Sequence, residues 1–103
     1  MGAVVKKDGH GEFRLSGILS FVTVPDLIAE TAGLFKESGD VRVDLSEVIR
    51  ADSAGVALLV EWMNEAHRRN QDIQFFNVPS QMLGIARVSS LDEVLPLHRE
   101  LTQ

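Results

Sequence analysis

Asp52 and Ser53 form a polar pair followed at once by two small residues, Ala54 and Gly55, and then by the apolar run Val56-Ala57-Leu58-Leu59. An acid and a hydroxyl at the start of a helix support two kinds of chemistry. Either side chain can accept a hydrogen bond from an orphan backbone N–H of the first turn and so cap the helix. The Ser53 hydroxyl could also take up a phosphoryl group, because free N–H groups and the helix dipole favour added negative charge there. Capping needs nothing beyond these residues, whereas phosphorylation has to overcome the charge of Asp52. Neither explains Gly55, since glycine in a first turn weakens a helix. A close approach by another backbone, or by a partner, is the expected reason for it.

Other reactive side chains are thinly spread. His10, His67 and His98 show no metal-ligand spacing. Gly9-His10-Gly11 is too short for a phosphate-cradling loop, and nothing near Ser53 in sequence nominates a general base. Asp26, Asp44 and Asp52 could converge at the carboxyl edge of a sheet, where α/β folds bind ligands. That leaves a nucleotide- or small-ligand-binding reading open, although loop carboxylates are more commonly solvated surface. The absence of cysteine removes thiolate catalysis, disulfide scaffolds and cysteine-based zinc sites. The chain is therefore read as a non-enzyme, with no cofactor and no metal.

The elements that must carry Ser53 follow from periodicity. Ala3-Val4-Val5-Lys6 reads as a strand and Lys7-Asp8-Gly9 as a turn. Gly11–Gly17 alternates, with Phe13 and Leu15 on one face, and completes a hairpin. Ile18–Val22 is apolar and ambiguous. Thr23-Val24-Pro25-Asp26 opens a helix, with Pro25 tolerated in its first turn, and Ser38-Gly39-Asp40 closes it. Val41–Leu45 alternates as a half-buried strand, and Ser46–Arg50 is expected to be a connection. A second helix runs from about Ser53 to Arg69. Ile73–Val78 is the next strand. Pro79-Ser80 opens a third helix whose packing candidates are Met82, Leu83, Ile85, Ala86 and Val88. Leu91, Val94 and Leu95 are expected to return to the core, and the last residues to form a short polar helix or fray. The order β-β-(β)-α-β-α-β-α predicts one α/β domain over residues 1–103, a small mixed sheet with helices packed against it.

Composition agrees with one globular unit: 103 residues, 45% hydrophobic and 24% charged. A net charge of −5 lacks a nucleic-acid footprint, and no apolar run is long enough to cross a bilayer. Met1 to His10 has no signal-peptide stretch, so a cytoplasmic location is expected, with any membrane role reached through a partner. At about 100° per residue, Gly55, Val56, Leu59, Met63 and Ala66 mark the core stripe of the second helix. Leu58, Trp62 and Arg69 lie along its flank, with Ala54 and Glu65 further round. Trp, Met and Arg are enriched at interfaces. An open apolar ledge for a partner is therefore expected along this flank, beside the alternative of plain core packing for Trp62.

These residues carry a family resemblance. Asp44-Leu45-Ser46 followed by Ala51-Asp52-Ser53-Ala54-Gly55-Val56-Ala57-Leu58-Leu59 resembles the signature of STAS domains, named for sulphate transporters and anti-sigma factor antagonists. The opening hairpin, Phe75-Phe76-Asn77-Val78-Pro79 and the closing helix extend the likeness over nearly the whole chain. The Asp-Ser-Ala-Gly run, with Leu83-Gly84-Ile85-Ala86-Arg87-Val88 and Leu91-Asp92-Glu93-Val94-Leu95-Pro96, is similar to the MlaB-type branch. That resemblance implies a SpoIIAA-like fold and a cytoplasmic subunit that binds the ATPase (of the MlaF kind) of a bacterial ABC system maintaining outer-membrane lipid asymmetry. It implies docking through the start of the second helix, peripheral attachment to the inner membrane, and no catalysis. Together with the apolar flank read above, partner contacts are expected at Asp52, Ser53, Ala54, Gly55, Leu58, Trp62 and Glu65. The alternative the family offers is an anti-sigma factor antagonist switched by a serine kinase. In those proteins the phosphorylated serine directly precedes the motif glycine. Here that position is Ala54, and Ser53 matches its neighbour.

Overall fold

The computed structural model describes residues 2–98. Strands β1 (Ala3–Gly9) and β2 (Glu12–Leu19) form an antiparallel hairpin. Helix α1 (Val24–Glu30) leads to β3 (Val41–Ala51), and helix α2 (Ser53–Arg68) leads to β4 (Ile73–Phe76). Helix α3 (Ser80–Val88) and a 3₁₀ turn (Leu91–Glu93) follow. The sheet order is β1-β2-β3-β4, with β2, β3 and β4 mutually parallel. The mixed α/β architecture expected from the sequence is the one observed.

Alternation explains where the core sits. Phe13, Leu15, Val41, Val43, Leu45, Ile73 and Phe75 are buried on one face of the sheet, together with Leu27, Leu58, Leu59, Trp62 and Met82 from the helices. Their neighbours along the strands, Glu12, Arg14, Arg42, Asp44 and Gln74, are exposed or half-buried. Phe35 ties the core together edge-on, its ring centroid 4.8 Å from Phe13 and 5.3 Å from Trp62.

Several boundaries differ from expectation, each for a local reason. β1 does not turn at Lys7-Asp8-Gly9. It continues through a bulge between Lys7 and Gly9, and the turn falls at His10-Gly11. α1 ends at Glu30, well before Ser38. The Thr31 hydroxyl donates to Leu27 O at 2.8 Å, and Gly33 takes a left-handed φ of 79°, so the chain proceeds in tight turns. β3 does not stop at Leu45. Its register against β2 shifts between Arg14 and Ser16, and pairing continues to Ala51. β4 ends at Phe76 because Asn77 adopts φ 56°. Val88 and Val94, expected inside, are 90% and 60% exposed. Pro96–His98 is neither helical nor frayed: Leu97 bridges to Phe75, and the N–H of His98 donates to Phe75 O at 2.8 Å. Residues 99–103, where the terminal expectation also falls, lie outside the described residues.

The polar face of the sheet holds its own network. Bulged Asp8 lies 3.1 Å from Arg14 Nε, and Glu47 lies 3.4 Å from Arg14 Nη1. Phe76 is covered by the Arg42 guanidinium, 4.6 Å from its centroid, and by the stacked ring of His98 at 4.8 Å. Asp44 Oδ1 accepts from Asn77 Nδ2 at 2.9 Å and from the N–H of Ser46 at 2.8 Å. Partial burial pushes the Asp44 carboxyl up, but the bonds from Asn77 and Ser46, with the charge of Arg14, outweigh it and hold the group below the usual carboxylate range. A depressed folded-state pKa adds stability above the unfolded value of about 4, and that stability is lost as pH falls through the folded value. Urea titrations at neutral and acid pH are expected to show wild type ahead of Asp44→Asn at pH 7, with the gap closing on acidification. A gap independent of pH would refute this account of Asp44.

Candidate partner-docking surface at the start of α2

The start of α2 is built where two strands end. The N–H of Asp52 donates to Leu19 O at 3.0 Å, which ties the end of β2 to the N-cap of α2. Asp52 has extended backbone, and its Oδ1 accepts from the N–H of Ala54 at 2.8 Å, so it caps the helix as expected. Gly55 then rests on the strand ends. A Cβ there would lie 3.1 Å from the Cβ atoms of both Leu19 and Ala51. The close approach that the glycine signalled is therefore made by this chain's own β2 and β3.

This packing decides which way Ser53 faces. With Ala54, Gly55 and Val56 buried, Ser53 is left exposed, and so are Ala57 and Asn64 further along the same line of the helix. Beside that line, Ser53, Val56, Ala57, Val60 and Glu61 of α2 face Ile85, Ser89 and Leu91 across a shallow, mostly apolar groove of about 300 Å³. α3 is held in place by Gln81, whose Oε1 accepts from the N–H of Ala51 at 3.1 Å. Val88 lies in the same helix, and Val94 follows the 3₁₀ turn that ends one wall of the groove. No periodicity in the α2 sequence alone could find this groove, because its facing wall comes from α3 and the turn that follows.

The predicted ledge is a different matter. Leu58 and Trp62 are 0% and 3% exposed, and Ala54 is 8%. They are core, not surface, because α1 and the turns after it close over that flank. The Trp62 indole N–H donates to Thr31 Oγ1 at 3.3 Å, and Phe35 lies against its ring. Glu65 sits about 120° around the helix from Ser53. It is ion-paired with Arg68 and with Arg69, the latter at 3.2 Å, on the rim of a separate cleft between α1 and α2. Its carboxyl is lowered first by the hydrogen bond from Arg68. Of the residues expected at the surface, the structure leaves Ser53 in the open and Asp52 and Glu65 half-covered.

The three aspartates do not converge. Asp26 is exposed in the first turn of α1, Asp44 lies on the polar sheet face, and Asp52 is engaged as a cap. Among the described residues no three His, Asp or Glu side chains form a group that could hold a metal ion. His10 and His67 are exposed on separate elements, while His98 bonds to Gln74 Oε1. The ligand-binding reading of Asp26, Asp44 and Asp52 loses its geometric basis.

Core burial of the flank has a measurable consequence. Trp62 emission from the isolated chain is expected to be blue-shifted and poorly quenched by acrylamide. Leu58→Ala is expected to cost about 2–5 kcal/mol in urea unfolding, the range for a large-to-small change in a packed core. Red, readily quenched emission with a loss under about 0.5 kcal/mol, typical of surface positions, would restore the ledge.

Comparison with known proteins agrees with this architecture. A search of curated protein sequences gives no match. Among solved structures, the chain is similar to the anti-sigma factor antagonist SpoIIAA in its unphosphorylated form, with a TM-score of 0.67 and 15% identity over 97% of this chain and 89% of that one. It is also similar to part of a protein described as Mglu, with a TM-score of 0.53 and 19% identity over 70% of this chain and 18% of that one. At such identities these likenesses establish the fold alone. The family model described as "Mlab, STAS domain" matches residues 3–97, and on that match the chain belongs to the MlaB-type STAS family.

Proposed function

We propose that this chain is a non-catalytic docking subunit. It binds the ATPase of an ABC complex that moves phospholipid to maintain outer-membrane lipid asymmetry, and it supports that ATPase's assembly and activity. The observation that carries the reading is the exposed Ser53 at the lip of the apolar α2–α3 groove. Membership of the MlaB-type family supports the choice of partner. Among the described residues no helix is long and apolar enough to cross a membrane. In this reading the chain works on the cytoplasmic side and meets the inner membrane through the ATPase.

A second reading, an antagonist of an anti-sigma factor kinase, has one observation in its favour. Ser53 offers an exposed hydroxyl at a helix N-terminus, where a phosphoryl group would be electrostatically accommodated. Against it stand the neighbouring carboxylate of Asp52 and the absence of a hydroxyl at Ala54.

Two measurements separate the readings. Ser53→Arg places a long cation on an exposed position in the first turn. Its thermal midpoint should fall by no more than a few degrees, the cost of a cation at a helix N-terminus, while co-purification with the ATPase falls at least about tenfold. Full-yield recovery of the complex with Ser53→Arg would remove this surface from the reading. Incubation with the cognate serine kinase and ATP should leave the intact mass unchanged. A gain of one phosphoryl group, lost in Ser53→Ala, would instead establish the switch.

A further inference from the structure

The loop between β2 and α1 displays an apolar tip that the core does not use. Phe21 is 72% exposed and Val22 is 81% exposed. The tip is held rigidly. The Ser20 hydroxyl oxygen accepts from the N–H groups of Val22 and Thr23, at 3.2 and 3.3 Å. The Thr23 hydroxyl accepts from the N–H of Ser20 at 2.9 Å and donates to Ile18 O at 2.7 Å. A further bond of 2.9 Å runs from the N–H of Val24 to Ser20 O. A braced turn has its backbone ordered before any partner arrives, so covering the ring costs side-chain rather than backbone entropy. Adjacent apolar side chains of this size held in water mark a contact surface more readily than isolated ones.

Position and charge decide what covers it. Leu19, which ends β2 directly before the loop, packs under Gly55 and accepts from the N–H of Asp52, so the loop leaves the sheet at the end of α2 that carries Ser53. Between Leu19 and Glu30 the charged residues are Asp26 and Glu30, both acidic, and the whole chain carries −5. Across the sheet Arg50 lies opposite Ile18, but one cation beside these carboxylates is not the basic cluster that draws an apolar wedge to an anionic bilayer. We infer that Phe21, backed by Val22, enters an apolar pocket of the same protein partner that covers Ser53, as a second anchor of that interface. A buried phenyl ring removes roughly 150–250 Å² of surface from water, and aromatic anchors dominate interface energetics. This inference rests on the docking reading above, and its partner is the ATPase named there.

The test compares wild type, Phe21→Ser and Phe21→Leu in titrations against the purified ATPase, and in sedimentation with vesicles of phosphatidylethanolamine and phosphatidylglycerol. Because Phe21 is exposed, all three should share one urea midpoint. Expected are binding by wild type, at least about tenfold weaker binding by Phe21→Ser, partial recovery in Phe21→Leu, and no sedimentation with vesicles. Equal binding by wild type and Phe21→Ser would overturn the anchor and leave the docking reading intact. No binding by wild type would overturn both. Vesicle binding that depends on Phe21 would assign the tip to a membrane and overturn the pocket.

Discussion

Everything at the candidate surface depends on how the first turn of α2 seats on the ends of two strands. Gly55 meets Leu19 and Ala51 at a separation where a side chain would press on both. The Asp52 N–H closes the junction onto Leu19 O, and the Asp52 carboxylate closes it again onto Ala54. Once that seat is fixed, the helix has no rotational freedom. Ala54, Val56, Leu58, Leu59 and Trp62 go inward, and Ser53 and Ala57 go outward. The same seat fixes where β2 ends, and hence where the loop carrying Phe21 emerges. One backbone approach thus positions both halves of the proposed interface.

Much of the fold was legible because the polar face of the sheet meets solvent. Parallel strands covered on both sides read as unbroken apolar runs, but strands covered on one side alternate. Phe13-Arg14-Leu15 and Val41-Arg42-Val43-Asp44-Leu45 alternate plainly, and the strands were read from that. The extension of β3 to Ala51 was not legible, since burial there changes to every third residue, at Leu45, Val48 and Ala51, as the register slips. The early end of α1 was hidden too. Leu34 and Phe35 continue a helical spacing, yet a threonine hydroxyl and a left-handed glycine redirect the chain before them.

The candidate site was half legible. Small and polar residues at the helix start pointed to a cap at Asp52 or Ser53, of which Asp52 makes it, and to a close approach at Gly55. Helical arithmetic also found the apolar flank of Leu58 and Trp62. It could not say what lay over that flank, because Thr31 and Phe35 arrive from turns some thirty residues away. Likewise Ile18–Val22 offered an apolar run without a period, and nothing local separates Leu19, fully buried, from Phe21, left in water. What divides them is the end of a strand, which long-range pairing sets.

The short pairing of Leu97 with Phe75 also bears on how copies of this molecule can meet. A sheet with two open margins can stack neighbours without limit into a fibre. Here the β4 margin is sealed along Phe75 by Pro96–His98, and one of those sealing residues is a proline with no N–H to offer. The opposite margin, β1, carries Lys6 and Lys7, whose like charges repel a second such strand. Strand-to-strand growth from the described residues is therefore disfavoured at both sides.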